Sequence, residues 1–239
     1  MTTLWSEPES MEYHLKQWRQ TKESTKKFIS FLDGKVMPDE NYLDLGCGAG
    51  AATFALSQRF NDSKWTGIDI DPKLTEIAKR LSAEAHASKL NFFVGDLQQY
   101  QTTDMFDGVV SLQTLSWLDD FKAAFRNVLG NIQPNWFAIS SLFFEGGISS
   151  YTKILEHETD RVLSYNTYSI PRVKAEAAQY NYSLTKCEPF EIDIDLPKPI
   201  NLDSMTTYTL RLAEDEEKSR LQISGPILMN WYMLLFEKI

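Results

Sequence analysis

Residues 43–50 read Leu-Asp-Leu-Gly-Cys-Gly-Ala-Gly, and they follow a short apolar run directly and open directly into the helical pattern Ala51–Phe60. A strand, a turn with three glycines in five positions, and a helix can be joined so tightly in few folds. The glycines let the backbone take conformations closed to other residues and bring it close to a partner. The helix that follows points its N–H groups and positive dipole end at the same place. Asp69 comes nineteen residues after Gly50, at the end of the next apolar run. Gly46, Gly48 and Ala51 satisfy the G-x-G-x-x-G/A spacing of dinucleotide-binding loops, with Asp69 placed for a ribose hydroxyl.

The rest of the chain alternates between the same two periodicities. Residues 15–32 suit one amphipathic helix, and strands are expected at 41–46, 65–70, 90–96, 106–114 and 135–144. Helices separate them: Ala51–Phe60, a segment after Asp71-Pro72 (a helix cap followed by a first-turn proline), and Leu118–Leu129. Strands alternating with helices in this way predict an α/β fold built on a parallel, doubly wound sheet. Beyond residue 145 the pattern loosens. A helical piece follows Pro171, a sixth strand is expected at 183–194, and a seventh at 230–238. The run Ala213–Lys218 reads as a solvated helix face. One domain is expected over residues 1–239: an N-terminal helical lid (1–35), a ligand-binding core (40–145), and two inserted cap segments (145–180 and 200–225).

Several function classes are disfavoured by composition. Twenty-four Lys and Arg against thirty-three Asp and Glu leave a net charge of −9, a poor surface for nucleic acid. The local exception is the cluster Lys16, Arg19, Lys22, Lys26 and Lys27. No apolar run nears the roughly eighteen residues of a membrane span. The first residues lack the basic-then-apolar pattern of a secretion signal, so a cytoplasmic location is expected. The two cysteines, Cys47 and Cys187, are too few for a thiolate metal cluster or a disulfide framework.

Asp44 decides what the glycine loop receives. It lies two residues before Gly46, where a fixed carboxylate would repel a diphosphate and favour a cationic amino group. A ligand with adenosine at one end and a cationic amino acid at the other fits, and S-adenosylmethionine is that ligand.

With this the chain resembles the class I S-adenosylmethionine-dependent methyltransferases over roughly residues 40–145. Four motifs carry the resemblance in order: Leu43–Gly50, Gly67-Ile68-Asp69-Ile70-Asp71, Gly95-Asp96-Leu97, and Phe106-Asp107-Gly108-Val109-Val110-Ser111. The resemblance implies a Rossmann-like seven-stranded sheet of order 3-2-1-4-5-7-6 with the last strand antiparallel. It also implies that Asp69 holds the ribose, that Asp96 receives the adenine amino group, and that the fourth motif ends beside the transferable methyl. The implied cofactor-binding set is Asp44, Gly46, Cys47, Gly48, Gly50, Asp69, Ile70, Asp96, Leu97, Ser111 and Gln113, with Trp18 and Arg19 from the N-terminal helix. S-adenosylhomocysteine would be the product.

The acceptor is narrowed by exclusion. The Asn/Asp-Pro-Pro-aromatic segment of enzymes that methylate adenine or glutamine nitrogen is absent, since Ser111-Leu112-Gln113-Thr114 stands there. Strands four and five do not end in the acids of the metal-dependent catechol type, so no metal is expected. What remains is transfer to an oxygen or nitrogen of a small molecule, with the general base unassigned. His14 and His157 are the base candidates, and His86 reads as exposed or structural. Aromatic residues concentrate toward the expected pocket mouth, Tyr165 among them. The substrate-binding candidates are Tyr13, Trp117, Phe144, Tyr168, Arg211 and Trp231. The flanks Tyr13–Trp18 and Ser224–Tyr232 look like those of small methyltransferases of bacterial surface-polysaccharide clusters, which implies a sugar-, phosphate- or amino-acid-derived acceptor. A nicotinamide oxidoreductase, a tRNA methyltransferase and a non-catalytic cofactor-binding subunit are the rival readings. Oligomeric state is not legible.

Overall fold

A computed structural model describes residues 8–157, 160–200, 205–211 and 220–239. Seven strands form its spine: β1 (Asn41–Leu45), β2 (Lys64–Asp69), β3 (Leu90–Val94), β4 (Gly108–Leu112), β5 (Trp136–Phe144), β6 (Tyr182–Pro189) and β7 (Trp231–Lys238). They lie in the order β3-β2-β1-β4-β5-β7-β6. Neighbours from β3 to β5 are parallel, and β7 runs antiparallel to both β5 and β6. This is the expected order, with one addition: Tyr168–Ser169 pairs parallel to the end of β5 as an eighth strand.

Helices cover both faces. α2 (Glu23–Phe31), α3 (Ala51–Arg59) and α4 (Pro72–Glu84) lie on one side, over a core that includes Phe28, Phe31, Tyr42, Trp65 and Leu235. Phe28, Phe31 and Leu32 are each at most 2% exposed, and burying each contributes about 1.5–3 kcal/mol, which fixes α2. α5 (Phe121–Phe125) and α6 (Ile170–Ala178) cover the other side, over Phe125, Phe137, Tyr168 and Phe236. Asp71 caps α4 as read, accepting from the Lys73 N–H at 2.9 Å, with Pro72 in the first turn.

Three local expectations change. The helix expected over 15–32 is two helices, α1 (Pro8–Arg19) and α2, separated where Lys22 takes an extended backbone (φ −61°, ψ 148°). Residues 19–24 are all polar, so no apolar stripe holds that turn against the core. The helix expected at 118–129 starts three residues later, at the Asp120 cap, and runs on as a π-helix to Ile132. The inserted segments also hold more strand than their sequence suggests. Lys153–Glu156 and Arg161–Ser164 form a hairpin, and Thr207–Arg211, Arg220–Ser224 and Ile227–Leu228 form a small antiparallel sheet. The run Ala213–Lys218 lies outside the described residues. Among those described, no helix is long and apolar enough to cross a membrane.

Candidate active site

The glycine loop is built from both ends. Gly46 and Cys47 donate their N–H groups to the Ile68 carbonyl, both at 2.9 Å, which fastens the loop to β2. Gly46, Gly48 and Gly50 all have positive φ, at 79°, 56° and 83°. They differ in what surrounds them. A Cβ on Gly46 would lie 2.4 Å from Thr114, and one on Gly50 would lie 2.6 Å from Phe92 and 2.8 Å from Ala78. At Gly48 a Cβ would meet nothing within 4 Å. The loop is therefore packed at its two ends and open in its middle.

Two carboxylates lie at the strand ends beside this loop. One oxygen of Asp69 accepts the Gly48 N–H at 2.8 Å and the other accepts the Asp71 N–H at 2.9 Å. Each still has a lone pair for a ligand hydroxyl. Burial raises the Asp69 pKa, and these backbone N–H bonds work against the rise. Asp44 is 1% exposed and makes half its bonds: Thr53 donates to Oδ2 at 2.6 Å, while Oδ1 is buried with no partner. Burial pushes its pKa from an ordinary value near 3.8 up to about 7; the Thr53 bond opposes this and the Asp69 charge adds to it. A buried carboxylate with a free oxygen calls for a cationic donor. Cys47, beneath the loop, is 8% exposed, and burial raises its thiol pKa further from the thiolate.

α1 reaches the same loop. The Trp18 indole donates to the Ala49 carbonyl at 2.7 Å, and its ring stacks on Phe54 at 4.6 Å. Trp18→Phe keeps the stack and removes that bond. It is expected to lower stability by about 1 kcal/mol, a fall of roughly 2–4 °C in a thermal melt.

Residues 43–135 match the family described as Methyltransferase domain. This segment is a methyltransferase domain of the class I, S-adenosylmethionine-dependent type. Among curated relatives, the malonyl-[acyl-carrier protein] O-methyltransferase of Bacillus anthracis is 27% identical over 124 residues, 51% of this chain and 45% of its own. The ubiquinone biosynthesis O-methyltransferase of Rickettsia felis is 25% identical over 82% of this chain and 73% of its own. The chain spans under half the length of most of the curated relatives it matches. Among solved structures, magnesium protoporphyrin IX methyltransferase of Synechocystis, with bound S-adenosylmethionine, superposes with a TM-score of 0.58 at 14% identity, covering 100% of this chain and 86% of its own. That likeness is one of fold.

The methyltransferase domain places the other sequence candidates unevenly. Ile70 is 40% exposed beside Asp69. Asp96 accepts from the Gln98 N–H at 2.9 Å in a tight turn after β3, and Leu97 is buried beneath it. Gln113 holds a left-handed backbone (φ 57°) at the end of β4, and its carbonyl accepts from the Trp117 indole at 3.0 Å. Trp117 meets Tyr165 edge-on at 4.5 Å. The Tyr13 ring lies 5.6 Å from that of His14, which is 8% exposed, and burial raises the Tyr165 pKa. Arg19 is exposed in the last turn of α1. Phe144 is 40% exposed at the end of β5.

Four candidates stand elsewhere. Ser111 points to the sheet face opposite Asp44 and gives its hydroxyl to the Leu45 carbonyl at 2.9 Å, so it ties β4 to β1. Tyr168 is 0% exposed in the α5–α6 core, with its hydroxyl on the Leu118 carbonyl at 2.7 Å. Arg211 is ion-paired with Asp195 on an exposed strand, with Nε to Oδ1 at 3.1 Å. His157 is exposed at a hairpin turn, outside the Tyr13–Tyr165–Trp117 group. Thr53 and Thr114 were not singled out by sequence: a threonine near a glycine loop has no pattern of its own, and only the fold brings these two against Asp44 and Gly46.

Proposed function

We propose that this chain transfers the methyl group of S-adenosylmethionine to an oxygen or nitrogen of a small molecule. The observation that carries the reading is the buried Oδ1 of Asp44, without a partner beside a loop that is open at Gly48. In this reading Asp44 receives the ligand's ammonium group and Asp69 its two ribose hydroxyls. The loop Gly46–Gly50 lies against its amino-acid end, and the Asp96–Leu97 turn lies against its adenine. The bound cofactor supplies an electrophilic methyl on a cationic sulfur. The protein contributes alignment of the acceptor and exclusion of water.

α1, tied to Ala49 through Trp18, acts as the lid, with Tyr13 and His14 on the acceptor side. The first inserted segment contributes Tyr165 to the same side. Of the two base candidates His14 is the one on α1, next to Tyr13, and in this reading it takes a proton from a hydroxyl acceptor. The O-methyltransferase names of the relatives in Bacillus anthracis and Rickettsia felis favour oxygen over nitrogen.

Asp69→Ala tests the cofactor site. Two charge-assisted hydrogen bonds contribute about 1.5–3 kcal/mol each, so S-adenosylhomocysteine should bind about a hundredfold more weakly or worse. An affinity within threefold of the parent would remove Asp69 from the site.

A further inference from the structure

Strand register carries the cofactor face to a second place. Asp44 is paired with Val110, and Leu112 follows two residues on. Leu112 is paired with Ser140, Leu142 follows two residues on, and Leu142 is paired with Trp231. Paired residues, and residues two apart in one strand, point to the same side of a sheet. Asp44, Leu112, Leu142 and Trp231 therefore share one face at the ligand-binding ends of β1, β4, β5 and β7. Three strand spacings across the sheet and an advance of four residues along the strands make the reach from Asp44 to Trp231 about 20 Å. A ligand whose ammonium group sits at Asp44 extends along this face toward Leu112, and the residues over β5 and β7 come next on it.

The residues of that layer are of one kind. Leu112, Leu142, Met229, Trp117, Tyr165 and Trp231 belong to or pack on one apolar cluster. None carries a charge. The nearby cations of the inserted segments are engaged elsewhere: Lys153 by Asp119, and Arg211 and Arg220 by Asp195. Several polar groups in or beside the layer are unused, among them the Ser116 hydroxyl next to Trp117 and the Oε1 of Gln222, whose backbone carbonyl accepts from Met229. The Trp231 indole N–H is buried without a partner although its residue is only 6% exposed. The Tyr165 hydroxyl makes no hydrogen bond among the described residues. Trp65 also has an unpartnered indole, but it lies at the opposite end of the sheet, at the start of β2 between Tyr42 and Phe60. Trp231 alone of the two stands at the ligand-binding end.

We infer that the acceptor is a flat, uncharged aromatic hydroxyl compound, seated against Trp117, Tyr165 and Trp231, with one of its oxygens accepting from the Trp231 indole. This rests on the methyltransferase reading and replaces the sugar or phosphate acceptor implied by the flanking segments. An anion would lose its water in this layer and gain no cation. A planar ring gains apolar contact and edge-to-face packing. In the transfer, an oxygen lone pair forms the O–CH3 bond as the S–CH3 bond breaks, and its electrons stay on sulfur as the neutral thioether. The hydroxyl proton leaves to His14 or to solvent.

The test titrates the protein, saturated with S-adenosylhomocysteine, with 2,3-dihydroxynaphthalene, glucose 1-phosphate and malonyl-pantetheine in separate calorimetric runs. The diol should bind at micromolar concentration and each of the others at least about a hundredfold more weakly. Trp231→Phe should weaken the diol about five- to tenfold, the loss of one hydrogen bond, and leave the S-adenosylhomocysteine affinity unmoved. That unmoved affinity also shows that the variant is folded. Tighter binding of either anion, diol binding weaker than millimolar, or an unchanged affinity in the variant overturns the inference. If S-adenosylhomocysteine binds and the diol does not, this inference falls alone. If S-adenosylhomocysteine does not bind, the cofactor reading falls with it.

Discussion

Gly48→Ala is expected to fold and to lose its cofactor site, while Gly46→Ala loses its fold. Both glycines have positive φ, so an alanine at either costs about 1–2 kcal/mol of backbone strain. At Gly48 that is the whole cost, because a Cβ there meets no protein atom within 4 Å. A melting temperature lowered by roughly 2–8 °C follows. The new methyl projects into the open space at the middle of the loop, whose Gly48 N–H is held by Asp69, and S-adenosylhomocysteine should bind about a hundredfold more weakly, the effect of overpacking a fitted contact. At Gly46 the Cβ would lie 2.4–2.8 Å from three atoms of Thr114. That threonine cannot move freely, since its hydroxyl is held by the Gly46 and Leu112 carbonyls at 3.1 Å each. Strain and overpacking together reach about 2–5 kcal/mol, enough to bring a marginal domain close to unfolding. Thermal melts and calorimetry on both variants check the contrast. Equal melting temperatures would mean that the loop is not packed as described.

Asp44→Asn should separate stability from binding in the opposite direction. The folded state raises the Asp44 pKa from near 3.8 to about 7, so between these values the folded protein holds a proton that the unfolded chain has released. The unfolded state then binds fewer protons, and stability of the cofactor-free protein falls as pH rises through that window, by on the order of 4 kcal/mol. Asp69, also raised by burial, acts with the same sign. The amide that replaces the carboxylate cannot ionise. The variant should lose most of this slope and melt above the parent at pH 8, while binding S-adenosylhomocysteine at least about a hundredfold more weakly. In the parent the ligand's ammonium group favours the ionised carboxylate, so its affinity should rise about tenfold per pH unit up to about pH 7 and then level off. A parent affinity flat from pH 5 to 8 would contradict the pairing of Asp44 with a cation.

The spine of the fold was legible because its signals are local. An apolar run ending in Gly46, a proline after Asp71, and alternating periodicities are readable one segment at a time. The places where the reading failed depend on relations between segments. Ser111 and Leu112 are adjacent, yet one ties β4 to β1 and the other faces the ligand side. Which does which follows from register, and a slip of one residue reverses it. Tyr168 was indistinguishable by composition from Tyr165, three residues before it; one fills the α5–α6 core and the other meets Trp117. Arg211 read as a substrate-binding candidate because its partner Asp195, sixteen residues before it, meets it only in the folded chain. The break between α1 and α2 left a trace in the polar run 19–24, but polar turns also occur in exposed helices. The candidate cofactor site was thus readable from four strand ends, whereas the acceptor side needed the fold.

The measurement closest to the central claim is calorimetric titration of the purified protein with S-adenosylhomocysteine and, separately, with NAD. The account predicts one site of micromolar affinity for S-adenosylhomocysteine and no heat with NAD, because a buried Asp44 carboxylate repels a diphosphate. Binding of NAD, or of neither ligand, would contradict it.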